Sequence, residues 1–280
     1  MHRQESIRGG GNRGLLRRHL YRAGLWRRLL LTHRPLARRL LAEFVGTALL
    51  VTIVVGSGIA AERLSPGQVG LQLLENSTAT ALGLAVLILT LGPVSGGHFN
   101  PVISAVDWVI GRRSGSGLTP RALGGYAGAQ LAGGVAGAAL ANLMYELPAL
   151  ELATTERSGA GVVTAEVVAT AGLVTVVFAL ARNGLSAWSA PAVGAYIGAA
   201  YWFTSSTSFA NPAVTVGRMF SDTFAGIAPG SVPPFLAAQA VGGFVGVTLV
   251  LALYPDAALA ADDVVVPHDG PTTHPRGDSS

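Results

Sequence analysis

One tripeptide pattern occurs twice in the chain, as Asn100-Pro101-Val102 and as Asn211-Pro212-Ala213. Each copy follows an apolar stretch rich in Gly and Ser. Asn is a favoured helix N-cap and Pro is favoured at the first helical position, so each copy predicts a helix that begins within hydrophobic sequence. Such a helix directs its unpaired N–H groups and the positive end of its dipole at the membrane interior. Two of these helix starts meeting there would form a polar pathway inside the bilayer.

The composition is that of a membrane protein. Hydrophobic residues make up 50% of the chain and charged residues only 12%, whereas a soluble domain carries about 25% charged residues. Six apolar runs approach the roughly 20 residues that cross a bilayer. These predicted spans are residues 36–59, 75–91, 121–143, 162–181, 188–203 and 233–254.

Two further apolar segments, 100–110 and 211–220, are too short to span a membrane. Eleven helical residues extend roughly 16 Å, which is about half the thickness of a bilayer. We therefore expect two re-entrant half-helices. The non-helical backbone that leads into them must line a cavity or be buried in protein, because lipid cannot satisfy its hydrogen bonds.

The chain also contains an internal repeat. The matching segments are Ala42-Glu43-Phe44-Val45-Gly46-Thr47 with Ala165-Glu166-Val167-Val168-Ala169-Thr170, and Tyr126-Ala127-Gly128-Ala129-Gln130 with Phe235-Leu236-Ala237-Ala238-Gln239. The Asn-Pro motifs lie between them, which gives a first repeat at 36–145 and a second at 160–254. Because each repeat holds three spans, an odd number, the second enters the membrane from the opposite side. The predicted fold is an all-α membrane protein with six transmembrane helices and two half-helices in an inverted repeat.

The charges outside the spans predict the orientation. The segment 1–35 is rich in Arg, and Arg112, Arg113 and Arg182 are expected on the same side of the membrane. By the positive-inside rule we expect both termini in the cytoplasm and the linker 146–159 on the extracytoplasmic side. The membrane is expected to be the plasma (inner) membrane. We expect the N-terminal tail to be a disordered segment with electrostatic lipid contacts or an amphipathic surface helix. The tail 255–280 is expected to be disordered and cytoplasmic.

Several kinds of chemistry are not expected. The chain has no Cys, which excludes disulfides and thiol-based metal sites. His268 and His274 could bind a metal, but unconstrained histidines of a tail are the simpler interpretation. We predict no enzymatic activity, no catalytic residue, no cofactor or metal site, and no nucleic-acid partner.

Over residues 36–254 the chain resembles the aquaporin family, the major intrinsic proteins. The segments that carry the resemblance are Ala42-Glu43-Phe44, Gly46-Thr47, Ser95-Gly96-Gly97-His98-Phe99-Asn100-Pro101-Val102 and Ser208-Phe209-Ala210-Asn211-Pro212-Ala213. The resemblance implies six tilted helices and two half-helices around one pore per subunit. It also implies assembly in the lipid bilayer as a homotetramer.

The same resemblance places both Asn-Pro motifs at the pore midplane. There Asn100 and Asn211 would donate hydrogen bonds to a passing solute and interrupt a chain of proton-conducting waters, rather than serve only as helix caps. The facing helix N-termini would repel protons and cations. The backbone carbonyls that would form a ladder of acceptors are those of Gly97, His98, Phe99, Ser208, Phe209 and Ala210.

Two carboxylates, Glu43 and Glu166, lie in apolar helices. An acid inside the membrane suggests proton coupling, but the family implies that both brace the re-entrant loops through hydrogen bonds to the backbone. His98 is likewise expected to brace its loop rather than to gate the pore by titration. Gln130 and Gln239 are expected to form hydrogen bonds between helices.

The sequence departs from the family at the outer constriction. The family commonly has an Arg directly after the second Asn-Pro-Ala, where this chain has Val214. Counting from the motifs, the other three filter positions fall at Thr80, Ala199 and Ser208. The predicted selectivity filter is therefore wide and uncharged, which favours solutes larger than water.

Two charged residues follow the motifs at the same offset, Asp107 in the first half and Arg218 in the second. Arg218 shares a helical face with Val214 and could guard the outer mouth, while Asp107 would lie near the inner mouth. A salt bridge or snorkelling to the membrane interface is the alternative for each.

Together these features predict a passive channel for water and small uncharged solutes such as glycerol, urea or metalloid hydroxides, selective by size and hydrogen bonding. Two other functions remain open. One is a proton-coupled secondary transporter that uses Glu43 or Glu166. The other is a closed structural membrane protein.

Overall fold

The computed structural model describes residues 35–112 and 116–254. The predictions for the N-terminal tail before Pro35, for Arg113 and for the tail 255–280 lie outside the described residues. Within the described part the chain forms eight α-helices. They are α1 Leu36–Leu64, α2 Val69–Ser95, α3 Pro101–Gly111, α4 Pro120–Met144, α5 Ala160–Arg182, α6 Ser189–Phe203, α7 Pro212–Arg218 and α8 Val232–Leu253.

The six predicted spans correspond to α1, α2, α4, α5, α6 and α8, and the two predicted half-helices correspond to α3 and α7. By length and composition, four helices in the described part are long and apolar enough to cross a membrane. They are Leu36–Leu64, Val69–Ser95, Ala160–Arg182 and Pro229–Leu253. The other two differ for separate reasons: α4 is long but rich in Gly, and α6 has only 15 residues after a 3₁₀ turn.

The two halves of the chain pack their helices in the same way. α1 packs against α2 and α4, and α5 packs against α6 and α8. α2 also packs against α6, which joins the halves. The half-helices cross between the halves, because α7 lies against α4 and α3 lies against α8. The inner faces form one buried cluster to which both halves contribute, with members such as Val51, Val54, Val174 and Val214.

Glycine permits the contacts that hold the half-helices. A Cβ atom on Gly217 of α7 would lie 2.5 Å from the carbonyl oxygen of Gly134 in α4. A Cβ atom on Gly243 of α8 would lie 2.8 Å from the Val102 side chain in α3. Small residues let membrane helices approach this closely. Each half-helix is therefore held by a long helix of the other half.

Candidate functional site

Both half-helices begin at the Asn-Pro motifs. The Oδ1 atom of Asn100 accepts a hydrogen bond from the backbone N of Val102 at 2.9 Å. The Oδ1 atom of Asn211 accepts from the backbone N of Ala213 at 2.9 Å and from that of Val214 at 3.3 Å. Pro follows each Asn at the first helical position. The predicted capping of both helices is therefore present.

The two helix starts face each other in the protein interior. The Nδ2 atom of Asn100 donates to the carbonyl oxygen of Ala210 at 2.8 Å. The Nδ2 atom of Asn211 donates to the carbonyl oxygen of Phe99 at 2.7 Å. Each Asn thus binds the residue that directly precedes the other Asn. These reciprocal hydrogen bonds join the N-terminal ends of α3 and α7.

The residues before the two Asn adopt left-handed backbone conformations. The φ angle is 47° at Phe99 and 48° at Ala210, and this conformation costs a non-glycine residue about 1 kcal/mol or more. A buried carboxylate binds each of these residues. Phe99 N donates to Glu43 Oε2 at 2.7 Å, and Ala210 N donates to Glu166 Oε2 at 2.9 Å. These hydrogen bonds offset the cost of the left-handed conformation, which brings each Asn to the contact.

The remaining partners of the two carboxylates also correspond between the halves. Each carboxylate accepts from one further backbone N–H of its loop and from the Gln of a neighbouring helix. The distances are 3.1 Å from His98 N and 2.7 Å from Gln130 Nε2 to Glu43, and 2.8 Å from Phe209 N and 2.7 Å from Gln239 Nε2 to Glu166. Glu43 accepts in addition from Ser95 Oγ at 2.6 Å. Both carboxylates are fully buried against the loops, with donors on all their oxygens.

A cavity passes between the halves with both Asn in its wall. One part of the lining is apolar and comes from five helices: Leu50, Val54, Leu84, Ile88, Ile103, Leu173, Val177, Val193 and Ile197. The other part comes largely from the two loops and from the residues around them: Thr80, Gly96, Gly97, His98, Asn100, Ser189, Tyr201, Ser208, Phe209, Asn211, Val214 and Arg218. The cavity thus combines an apolar surface with a series of polar groups.

The predicted midplane residues divide into two groups. Of these six residues, only Asn100 and Asn211 line the cavity, whereas Pro101, Val102, Pro212 and Ala213 form the first helical turns outside its lining. Val102 packs against α8, as its contact with Gly243 shows. The two Asn residues are thus the part of the two motifs that a solute in the cavity would meet.

The predicted carbonyl ladder needs one correction. Gly97, His98, Ser208 and Phe209 line the cavity, and Gly96 lines it as well. Phe99 and Ala210 do not line it. Their carbonyl oxygens are turned to the two Asn amides, because those amides bind across the helix starts.

The predicted selectivity filter also needs a correction. Thr80, Ser208 and Val214 line the cavity, but Ala199 is exposed on the outer surface of α6. The residues of α6 that line the cavity are Ser189, Val193, Ile197 and Tyr201. They recur every four residues on one helical face, and a position two residues away points to the opposite face. Tyr201, which sequence reasoning missed, lines the cavity, and its hydroxyl lies 3.2 Å from Thr80 Oγ1.

Arg218 is buried and lines the cavity one helical turn beyond Val214. Its Nε donates to the carbonyl oxygen of Ala225. Its guanidinium carbon lies 3.5 Å from the centroid of the Phe209 ring, within the range of a cation–π interaction. Among the described residues, its partners are thus a carbonyl and an aromatic ring.

Asp107, at the corresponding offset in the first half, does not line the cavity. It is fully buried, and its Oδ2 accepts from the backbone N of Leu118 at 2.8 Å. The expectation that Asp107 lies at an inner mouth is therefore wrong. The carboxylate instead holds the connection between α3 and α4.

Arg157, in the linker between the halves, was also missed by sequence reasoning. Its Nε donates to the carbonyl oxygen of Gly226 at 2.8 Å, and its Nη2 donates to that of Phe224 at 3.1 Å. Burial lowers the pKa of the Arg157 guanidinium. The one available signal was that Arg157 is the only basic residue in a linker, 146–159, that also carries three Glu residues.

Known proteins that resemble this chain point to one family. The sequence matches the family described as Major intrinsic protein over residues 31–204. Aquaglyceroporin AqpS of Rhizobium meliloti is 46% identical over 217 residues, which is 77% of this chain and 89% of that protein. The Glycerol uptake facilitator protein of Pseudomonas aeruginosa is 36% identical over 105 residues, which is 38% of this chain and 35% of that protein.

Among solved structures, the aquaglyceroporin from Plasmodium falciparum matches with a TM-score of 0.61 and 19% identity, over 81% of this chain and 100% of that one. At this identity the match shows a shared fold. The protein is thus an integral membrane protein with the arrangement of helices that its repeat predicts. By its sequence match and its near full-length relative, the chain belongs to the major intrinsic protein family.

Proposed function

We propose that this protein is a passive channel for water and for uncharged solutes of about the size of glycerol. The observation that carries the proposal is the pair of reciprocal hydrogen bonds of Asn100 and Asn211 in the cavity wall. An amide Nδ2 carries two hydrogens, and the bond to a carbonyl uses one. Each Asn therefore has a second hydrogen to donate to a solute. A relative that is 46% identical and is named an aquaglyceroporin supports glycerol as a solute.

The helix starts supply the barrier to ions. The N-terminal ends of α3 and α7 meet at the two Asn residues, so the positive ends of both helix dipoles act on the same part of the cavity. A cation or proton would be repelled there, and a neutral solute would not. Water molecules that accept from both Asn would be oriented so that a continuous proton wire is broken.

We assign the filter to the end of the cavity that contains Thr80, Tyr201, Ser208, Val214 and Arg218. The Oγ atom of Ser208 is buried without a hydrogen-bond partner among the described residues, so it is available to a solute. Val214 leaves the position directly after the second motif small and uncharged. Arg218 follows about 6 Å farther along the helix. The filter thus carries its cation one helical turn beyond Val214, the position at which the family commonly has an Arg.

We assign Glu43 and Glu166 the role of bracing the loops. Their oxygens are occupied by donors of the loops and of the Gln side chains. A carboxylate that couples transport to protons would have to release these donors when it is protonated. This argues for passive transport, and a pH gradient tests it directly.

The proposed setting is the plasma membrane, with both termini in the cytoplasm and the linker 146–159 outside. We also propose assembly as a homotetramer. Large apolar side chains such as Leu82, Val86 and Leu89 of α2 are exposed on the outer surface. Lipid and neighbouring subunits are the partners suited to such a surface.

Stopped-flow measurements on proteoliposomes test the function. Permeability to water, glycerol, urea and arsenous acid is compared with that of empty liposomes, with and without a pH gradient. We expect glycerol flux above the empty-liposome rate that does not change with the gradient. Flux that requires the gradient would indicate coupled transport. The absence of any added permeability would indicate a closed structural protein.

A further inference from the structure

Two arginines from different parts of the chain hold the short segment 224–226. The carbonyl oxygens of Phe224 and Gly226 accept from Arg157, and the carbonyl oxygen of Ala225 between them accepts from Arg218. The backbone N of Arg157 also donates to Ser231 Oγ at 2.9 Å. Three consecutive carbonyls are therefore fixed by guanidinium groups of the linker and of α7.

The same two arginines contact one aromatic ring. The guanidinium carbon of Arg218 lies 3.5 Å from the Phe209 ring centroid, and that of Arg157 lies 5.2 Å from it. Both distances fall within the cation–π range of about 6 Å. Phe209 lines the cavity and also packs edge-on against Phe235 at 4.9 Å between ring centroids. Arg157 thus reaches the cavity wall through Phe209 without lining the cavity itself.

The linker does not depend on the Arg157 side chain for its attachment. Its backbone is bound to the segment after α7 by three hydrogen bonds: Glu151 N to Phe220 O at 3.2 Å, Ala153 N to Met219 O at 2.9 Å, and Ala228 N to Thr155 O at 2.8 Å. Thr154 N also donates to Asp222 Oδ1 at 2.8 Å. Removing the guanidinium would leave these contacts intact. Its effect should therefore be confined to the segment 224–226, Phe209 and Arg218.

We propose that Arg157 is a specificity-determining positioning residue that fixes the guanidinium of Arg218 in the cavity wall. It acts by holding the carbonyl segment to which Arg218 is bound and the ring on which Arg218 lies. A planar guanidinium can donate to two carbonyls at fixed angles, and an ammonium group cannot reproduce this geometry. The transport consequence rests on the proposed function, since it assumes that Arg218 limits the size of the solute.

The test compares the ratio of glycerol to water permeability in proteoliposomes of the wild type, R157A, R157K, R218A and R157A/R218A. Arg63→Ala is the matched control, because Arg63 lies over the Tyr145 ring at 5.1 Å and donates to the Tyr145 carbonyl at a site outside the cavity lining. When two residues share contacts, a substitution at one changes the effect of a substitution at the other by about twofold or more. We expect R157A to raise the ratio by at least about twofold, R157K to raise it less, and the double variant to match R218A.

A second readout does not depend on transport. Hydrogen exchange of the segments around Phe209 and 219–231 should become faster in R157A and R157K and stay unchanged in Arg63→Ala. Wild-type vesicles without glycerol flux would refute the proposed function, and the exchange rates would still test whether Arg157 holds the segment 224–226 and Phe209. An unchanged ratio and unchanged exchange in R157A would overturn the inference. The inference would also be overturned if R157A changed the permeability ratio by the same factor with and without Arg218. It would be overturned as well if R157K changed the ratio as much as R157A does while both proteins fold.

Discussion

The two half-helices share a supporting frame. In each half a buried Glu binds the left-handed residue before the Asn, and a Gln joins that Glu to the hydroxyl one turn into the half-helix. Gln130 Nε2 donates to Ser104 Oγ at 2.9 Å, and Gln239 Nε2 donates to Thr215 Oγ1 at 2.8 Å. Apart from the Ser95 hydroxyl, which donates to Glu43 alone among the described residues, corresponding groups hold both helix starts. The symmetric part of the molecule is therefore the part that brings the two Asn together.

The halves diverge at the seventh residue after the Asn. Asp107 does not line the cavity and binds the backbone of Leu118, whereas Arg218 lies in the cavity wall beside Phe209. The helices differ in length as well, since α3 has 11 residues and α7 ends at Arg218 after seven. The comparison suggests that the shared positions build the meeting point of the helices, and that selectivity depends on positions where the halves differ.

The largest expected effect comes from removing either buried carboxylate. Glu43→Ala and Glu166→Ala each leave several buried donors without an acceptor, and each such donor costs about 1–3 kcal/mol. We expect both variants to lose at least about 2 kcal/mol of stability and most of their water permeability. Thermal unfolding in detergent and stopped-flow water flux measure the two effects. A wild-type unfolding temperature for one variant and not the other would show that the frame is not symmetric.

A smaller effect is expected from Val214→Arg. The added guanidinium would enter the cavity at a position that is now small, so glycerol flux should fall about tenfold more than water flux, as expected for a steric change in a binding pocket. Val214→Thr, which keeps the shape of Val214, is the control and should conserve the wild-type ratio. If Val214→Arg and the wild type have equal glycerol-to-water ratios, Val214 does not contribute to the filter.

The smallest effects separate Tyr201 from Ala199. Tyr201→Phe removes one hydroxyl that faces Thr80 in the cavity, which should change the glycerol-to-water ratio by about twofold, the lower end of the effect of one hydrogen bond. Ala199→Phe places a large side chain on the exposed face of α6 and should leave the ratio unchanged. A change of the ratio in Ala199→Phe would contradict the placement of α6.

The frame could be predicted from the sequence because its residues are repeated. The Asn-Pro motifs, the two Glu and the two Gln recur in order, and each has a specific hydrogen-bonding task. The filter was harder to predict, because α6 carries no motif and a count from distant residues can err by two positions, as it did at Ala199. Arg157 could not be assigned a role from the sequence, since its contacts with 224–226 and Phe209 depend on tertiary packing.

The most direct test of whether selectivity depends on Arg218 is a comparison of Arg218→Ala with Asp107→Asn. Both variants remove a charge seven residues after the motif Asn, and the side-chain amide that Asp107→Asn introduces would retain an acceptor for the backbone of Leu118. The measurement is the ratio of glycerol to water permeability in proteoliposomes of each variant and of the wild type. We expect a higher ratio for Arg218→Ala and a wild-type ratio for Asp107→Asn. Equal ratios in both variants would contradict the assignment of selectivity to Arg218.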